Sequence, residues 1–213
     1  MSIAKELEQI FDADRKLREA ESRLLRVRNS SEVVDLLIAE TKNALAHQDR
    51  EEATMRLERL ADLCAQVHGP QMTDALIEIL NDQEPRVRVA AGEALRDVGF
   101  ERYAEVARGI VRALDSSTTG PAMSELPWVL AEIGEPSALP LIRRFLDHAD
   151  PDVTAAAIEA LAQLQEPEAV DDLRRFVDDD RVVVIEDLED DDKTTIGDLA
   201  RDALAMFGVD AAS

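Results

Sequence analysis

Aromatic side chains make up only 3% of this 213-residue chain, with one Trp and one Tyr among them. A core without large rings has to be filled by Ala, Leu and Val, which suits helices packed closely on helices. Eight glycines and eight prolines are too few for the frequent turns of a β-sandwich or barrel. Cys64 is the single cysteine, which excludes an internal disulfide and a cysteine-built zinc cluster. It lies in an apolar helical stretch with Leu60, Leu63 and Val67 and reads as a small core residue. No run approaches the ~20 apolar residues of a membrane span. The opening stretch, MSIAKELEQIFDADRK, is charged throughout and has no apolar core of signal-peptide length. The expectation is a soluble, cytoplasmic protein.

Cations are scarce too. The chain holds 24 Lys and Arg against 46 Asp and Glu, a net charge of −22, and residues 70–213 carry 32 of the acids against 13 of the bases. Phosphate backbones and anionic membrane surfaces are repelled by such a surface, because affinity for either depends on cations. Solubility alone and attraction to a basic protein partner both remain open readings of the charge.

Constellations that carry chemistry are missing as well. His47, His68 and His148 are far apart in sequence, and none belongs to a paired-histidine motif. There is no Gly-rich phosphate loop and no nucleophile elbow. His148 stands among Asp147, Asp150 and Asp152 and reads as a solvated neighbour of a helix cap. The acidic run of Glu186, Asp187, Glu189, Asp190, Asp191 and Asp192 lacks the spacing and the glycine of a calcium loop. Docking of a basic partner, or simple solvation, is its better use. No metal, no cofactor and no enzymatic activity are expected.

What the chain does contain is a repeat. LNDQEPRVRVAAGEALRDVG at 80–99 and LDHADPDVTAAAIEALAQLQ at 146–165 match at Leu80/Leu146, Val87/Val153, Ala91/Ala157 and Leu95/Leu161, and the less regular segment 114–134 falls midway between them. Glu135-Pro136-Ser137-Ala138 returns as Glu166-Pro167-Glu168-Ala169, and Arg143-Arg144-Phe145 as Arg174-Arg175-Phe176. Each unit reads as two helices. In the first, Ala138, Leu141, Ile142, Phe145 and Leu146 share a face; in the second, Val153, Ala156, Ala157, Ala160, Leu161 and Leu164 do. Pro85, Pro136, Pro151 and Pro167 fit first helical turns, Asp150 fits an N-cap, and Gly99, Gly134 and Gly208 lie where helices should end. One helical pair cannot bury its apolar face alone, whereas a stack of pairs can.

The Asp-Pro-Asp-Val turn at 150–153, the Ala-Ala-rich second helix and the aliphatic-Gly ending resemble HEAT repeats, in particular the short class found in phycobilisome lyases. The resemblance implies an all-α fold: an α-solenoid, or α–α superhelix, of HEAT-like helical hairpins. These span residues 70–208, with a degenerate helical pair at 31–69 and an N-terminal amphipathic or capping helix at 1–30. It further implies a non-enzymatic scaffold or adaptor that binds a protein partner on the concave face lined by second helices. A bilin lyase or lyase chaperone is the alternative. The family's iron hydroxylases use His-Glu pairs, which this chain lacks, and its DNA glycosylases need a basic groove, the opposite of this surface.

Two segments break the pattern. Residues 2–28 place Ile3, Leu7, Ile10, Ala13, Leu17, Ala20, Leu24 and Val27 on one helical stripe, suited to a cap on the solenoid, a dimer seam or a docking face. A heptad seam would carry Asp14 and Glu21 inside, which weighs against a coiled coil. Residues 181–194 interrupt the last unit, and the β-prone Val182 to Ile185 suggest a strand or short hairpin there; Thr195, three residues before Asp198, suits the next cap.

Superposing the second helices gives a candidate partner face. Arg88, Gly92, Glu93 and Arg96 are surface positions of one second helix; a shift of 35 puts Met123 on Arg88 and Trp128 on Glu93, and a shift of 66 puts Ile158 on Gly92. Met123, Trp128 and Ile158 would form an exposed apolar patch, with Trp128 as its anchor. The competing reading has Pro127 shift the helix start and turn Trp128 into the core.

The charge balance yields a first test. Duplex DNA should show no measurable binding near physiological salt, and micromolar affinity with a steep salt dependence would reveal a basic face that the composition hides.

Overall fold

The computed structural model describes residues 3–28, 30–116, 118–183 and 194–209. Among the described residues, ten α-helices and one two-stranded ribbon follow one another. They are α1 (Ile3–Leu25), α2 (Ser31–Leu45), α3 (Arg50–Ala65), α4 (Pro70–Leu80), α5 (Pro85–Asp115) and α6 (Ala122–Ile133). A 3₁₀ turn (Pro136–Ala138) leads into α7 (Leu139–Leu146), α8 (Pro151–Leu164) and α9 (Ala169–Arg174). Then come β1 (Val182–Val183), β2 (Thr194–Thr195) and α10 (Ile196–Met206).

Helix α5 is two helices joined without a loop, because Arg102 leaves helical geometry at φ −140°, ψ 50°. That break divides the chain into five hairpins: α2/α3, α4 with the first half of α5, the second half of α5 with α6, α7/α8 and α9/α10. The all-α solenoid expected from the repeats is the fold.

The second helices obey one burial rule. In the first half of α5 the buried side chains include Val87, Ala91, Ala94, Leu95 and Val98. The same 4-3-1-3 spacing recurs in α3 at Ala53, Leu57, Leu60, Ala61 and Cys64, and in α6 at Ala122, Leu126, Val129, Leu130 and Ile133. In α8 it runs through Val153, Ala157, Ala160, Leu161 and the half-buried Leu164; around α10 it runs through Ile196, Ala200, Ala203, Leu204 and the half-buried Phe207. Spacing of three and four keeps these side chains on one helical face, which is what lets each helix pack on the next.

Local chemistry fixes the starts. Ser30, Asp49 and Asp150 accept hydrogen bonds from the exposed amides of α2, α3 and α8, and Pro70, Pro85 and Pro151 open their helices where a missing N–H costs nothing. Thr195 and Asp198 form a reciprocal capping box on α10, with the Asp198 amide donating to Thr195 Oγ1 at 3.1 Å and the Thr195 amide donating to Asp198 Oδ2 at 3.0 Å. The break at Arg102 is held from outside: its guanidinium donates to the Ala65 carbonyl, and the neighbouring Glu105 accepts from the Gly69 amide.

Two expectations change. Gly99 does not end a helix; it is buried inside α5, where a side chain would collide with Cδ1 of Ile133. Gly134 does end one, at φ 69°. Helix α1 is present, but only Leu24 and Leu25 at its end pack against the core, so most of the stripe expected to cap the solenoid covers nothing among the described residues. The insertion does contain paired strands, Val182 opposite Thr195 and Val183 opposite Thr194. The acidic run 186–192 lies outside the described residues.

Gly99→Val should cost about 1–3 kcal/mol by overpacking. Adding Ile133→Ala should return part of that loss, because the smaller side chain opens the same gap. Thermal melts of the two single variants and the double variant measure the coupling, and strictly additive losses would show that the two sites do not meet.

Candidate functional site

A helix inside a stack has a neighbour on either side and leaves only a narrow strip of its surface open. One residue in each second helix marks that strip. In the shared register it is Arg59, Glu93, Trp128, Glu159 and Asp202, of which all but the half-buried Trp128 are exposed. One turn further on, the row is the half-buried Leu63 followed by the exposed Asp97, Glu132, Gln163 and Met206.

This arrangement corrects the proposed apolar patch. Met123 is 1% exposed and Ile158 0% exposed, so both belong to the core. Each precedes an outward residue by a part-turn that brings it round to face the neighbouring helix. Glu93, by contrast, is exposed, while Arg88 and Arg96 are partly buried and already engaged. Arg88 Nε donates to Glu125 at 3.2 Å, and Arg96 is paired with Glu132, so both arginines tie α5 to α6. Pro127 is buried within α6 and does not shift its start, which lies at Ala122.

Trp128 takes neither of its two expected places. Its ring is half-buried and forms one wall of a groove of about 780 Å³ between α6, α8 and α10. Leu199, Ala203 and Met206 of α10 provide the other apolar wall, and Glu159, Gln163 and Asp202 line the polar part. Met206 is 61% exposed, unusual for a large apolar side chain. Among the described residues lining the groove there are two carboxylates and no cation.

A second hollow, about 850 Å³, lies on the same strip nearer the N-terminus. There the exposed ring of Phe100 stands among the acids Asp62, Glu93, Asp97 and Glu101 and the arginines Arg28, Arg59 and Arg102. Leu199, Asp202, Met206 and Phe100 were absent from the sequence reading. Carrying the superposition past the insertion by a shift of 43 from Glu159 and Gln163 places Asp202 and Met206 directly.

The groove's electrostatics carry one visible perturbation. Surrounding protein displaces water from Glu159 and pushes its carboxyl above the ordinary carboxylate range. Cys64 is inert by the same cause: burial raises its thiol to about 12. Among the described residues no group of three or more His, Cys, Asp or Glu is placed to hold a metal, and no helix is long and apolar enough to cross a membrane.

The raised carboxyl sets a pH-dependent test. An acid whose folded pKa lies above its unfolded value costs stability once ionised; the penalty is absent well below the carboxylate range and grows as pH rises through it. Glu159→Gln should therefore raise the melting temperature at neutral pH and leave it nearly unchanged at pH ~3. Equal shifts at both values, or a loss at neutral pH, would mean that the charge is not strained.

Comparison with known proteins agrees with the architecture. Residues 124–190 match the family model for HEAT repeats. No curated protein matches the chain. Among solved structures, a designed armadillo repeat protein in complex with a (KR)4 peptide is 18% identical, with a TM-score of 0.38 over 91% of this chain and 94% of that one. An engineered protein is 16% identical with a TM-score of 0.38 over 89% of each chain. Computationally designed armadillo repeat proteins for modular peptide recognition are 16% identical, with a TM-score of 0.34 over 91% of this chain and 94% of that one. The matched stretch, residues 124–190, is thus a run of HEAT repeats, set in a stack of hairpins whose second helices share one buried register.

Proposed function

We propose that this chain is a non-enzymatic interaction scaffold whose second-helix strip binds a basic segment of another protein through an apolar anchor. The observation that carries the reading is the groove of Trp128, Leu199 and Met206 with Glu159 and Asp202 at its side and no cation among its described lining residues. Tightly packed helical surfaces seldom leave an indole and a long thioether accessible together. A half-buried Trp loses little freedom on binding and gains the remaining burial, and Met adapts its shape to different partners. The two carboxylates favour Lys or Arg flanking the inserted side chain and disfavour acidic segments.

The strip extends the site. Glu93, Asp97, Phe100 and Glu101 stand along the same row, so an extended or helical segment has a second apolar point, where acids outnumber the arginines Arg28, Arg59 and Arg102 that also line the hollow. Two shallow sites engaged by one segment give useful affinity where either alone is weak. The surplus of carboxylates, at net −22, adds attraction at a distance, which speeds encounter more than it tightens the complex. The acidic residues Glu186, Asp187, Glu189, Asp190, Asp191 and Asp192 extend that field in this reading.

Trp128 is the only tryptophan, so intrinsic fluorescence reports on the groove without a label. A peptide with a central Leu or Phe flanked by Lys and Arg should shift or quench that emission, and added salt should weaken the effect. Trp128→Ala, followed by calorimetry, should weaken binding by about 2 kcal/mol while lowering stability by about 1–2 kcal/mol, less than the 3–5 of a fully buried ring. Glu159→Lys with Asp202→Lys should act mainly on the association rate. Equal binding of an acidic peptide, or unchanged binding after Trp128→Ala, would remove the groove from the reading.

A further inference from the structure

Helix α1 carries a face that nothing in the described chain covers. None of its residues is buried, and Ile3, Leu7, Ile10, Phe11 and Leu17 are exposed, Ile3 to 88% and Ile10 to 62%. Besides the packing of Leu24 and Leu25, a 3.1 Å contact between Glu21 and Arg59 Nη1 ties its end to α3. A helix of 23 residues gains little stability in water unless an apolar face is covered.

The spacing of that face suggests what covers it. Counting in sevens from Ile3 gives Ile10, Leu17 and Leu24; the position three residues on gives Glu6, Ala13, Ala20 and Val27. In this register Asp14 and Glu21 flank the seam and do not enter it, unlike the register through Leu7. One row is large and aliphatic, while the middle of the other is alanine. Two such helices running in the same direction would set alanine against alanine and leave a gap. Running in opposite directions, each sets its large row against the other's small one and fills the space.

Charge selects the same direction. Residues 3–14 hold four carboxylates and one lysine, whereas residues 15–28 hold six cations and two carboxylates. An antiparallel pair lays acidic half on basic half, and a parallel pair lays like on like. The rest of the chain holds 40 acids against 17 bases, so placing the two bodies at opposite ends of the helix pair also reduces their repulsion.

We infer that α1 is a self-association element through which two copies of this chain pair in antiparallel orientation. The large rows of Ile3, Ile10 and Leu17 close over Ala13 and Ala20 of the second copy, leaving both second-helix strips free for other partners.

Light scattering on the eluting protein at about 50 μM, well above a micromolar dissociation constant, should give twice the 23.5 kDa chain mass. Ile10→Glu combined with Leu17→Glu should halve that mass and lower the helical signal by at most the share of α1, while the cooperative melt of the packed hairpins stays in place, because both side chains are exposed in the single chain. Orientation is read by a spin label on Lys5→Cys, since the buried Cys64 thiol does not react. Antiparallel pairing separates the two labels by more than about 20 Å along the axis, and parallel pairing brings them to about 10 Å. A monomer, a dimer that survives the double Glu variant, or a short label distance would each overturn the inference.

Discussion

The structure depends on one constraint: every second helix buries the same five positions, at 4-3-1-3 spacing, between its own partner and the next repeat. The sizes at those positions vary in compensation. Where α3 has Leu57 and Ala61, α5 has Ala91 and Leu95, and α8 repeats the pattern of α5 with Ala157 and Leu161. Alternating large and small side chains keep the helices close without rings to fill the space. At Gly99 the approach is so tight that Ile133 takes the place of a side chain. The outer surface follows from this packing, because it fixes which side of each second helix turns outward.

Electrostatics work inside that frame. Equivalent arginines bridge successive hairpins: Arg144 to Asp115 at 2.6 Å, and Arg175 to Asp147 at 3.0 Å. Arg112 reaches back to Asp74, and Arg143 forward to Asp172. Each such exposed or half-exposed pair is worth little alone, about 0–1 kcal/mol. Their larger effect is to consume the scarce cations between repeats, so the groove around Trp128 and Met206 presents carboxylates.

Much of the fold was legible in the sequence because helical repeats write their packing as spacing. The recurrences Leu80/Leu146 and Arg143-Arg144/Arg174-Arg175 belong to equivalent helices, and Asp150 and Thr195 cap as their chemistry suggests. Gly99 misled because a glycine for close approach and a glycine for a helix end look alike in sequence. The site was harder. A step of one residue turns a helix by about 100°, so Met123 and Ile158 fell inside while Glu159 fell outside. Asp202 and Met206 were hidden by the insertion, which lengthens the last repeat beyond the spacing of the others. The uncovered stripe of α1 was visible as a pattern, but what it touches is a question of three dimensions.

Cys64 and Trp128 sit in different hairpins of a linear stack, one in α3 and one in α6. A stack held together by nearest-neighbour contacts opens piece by piece, as a zip does, instead of in a single step. The masked thiol becomes reactive when the N-terminal hairpin peels away, and the indole changes its emission only when the middle of the array loosens. Nature has thus left the chain with two clocks at different places along the zip, and the difference between their rates measures how far cooperativity travels from one repeat to the next.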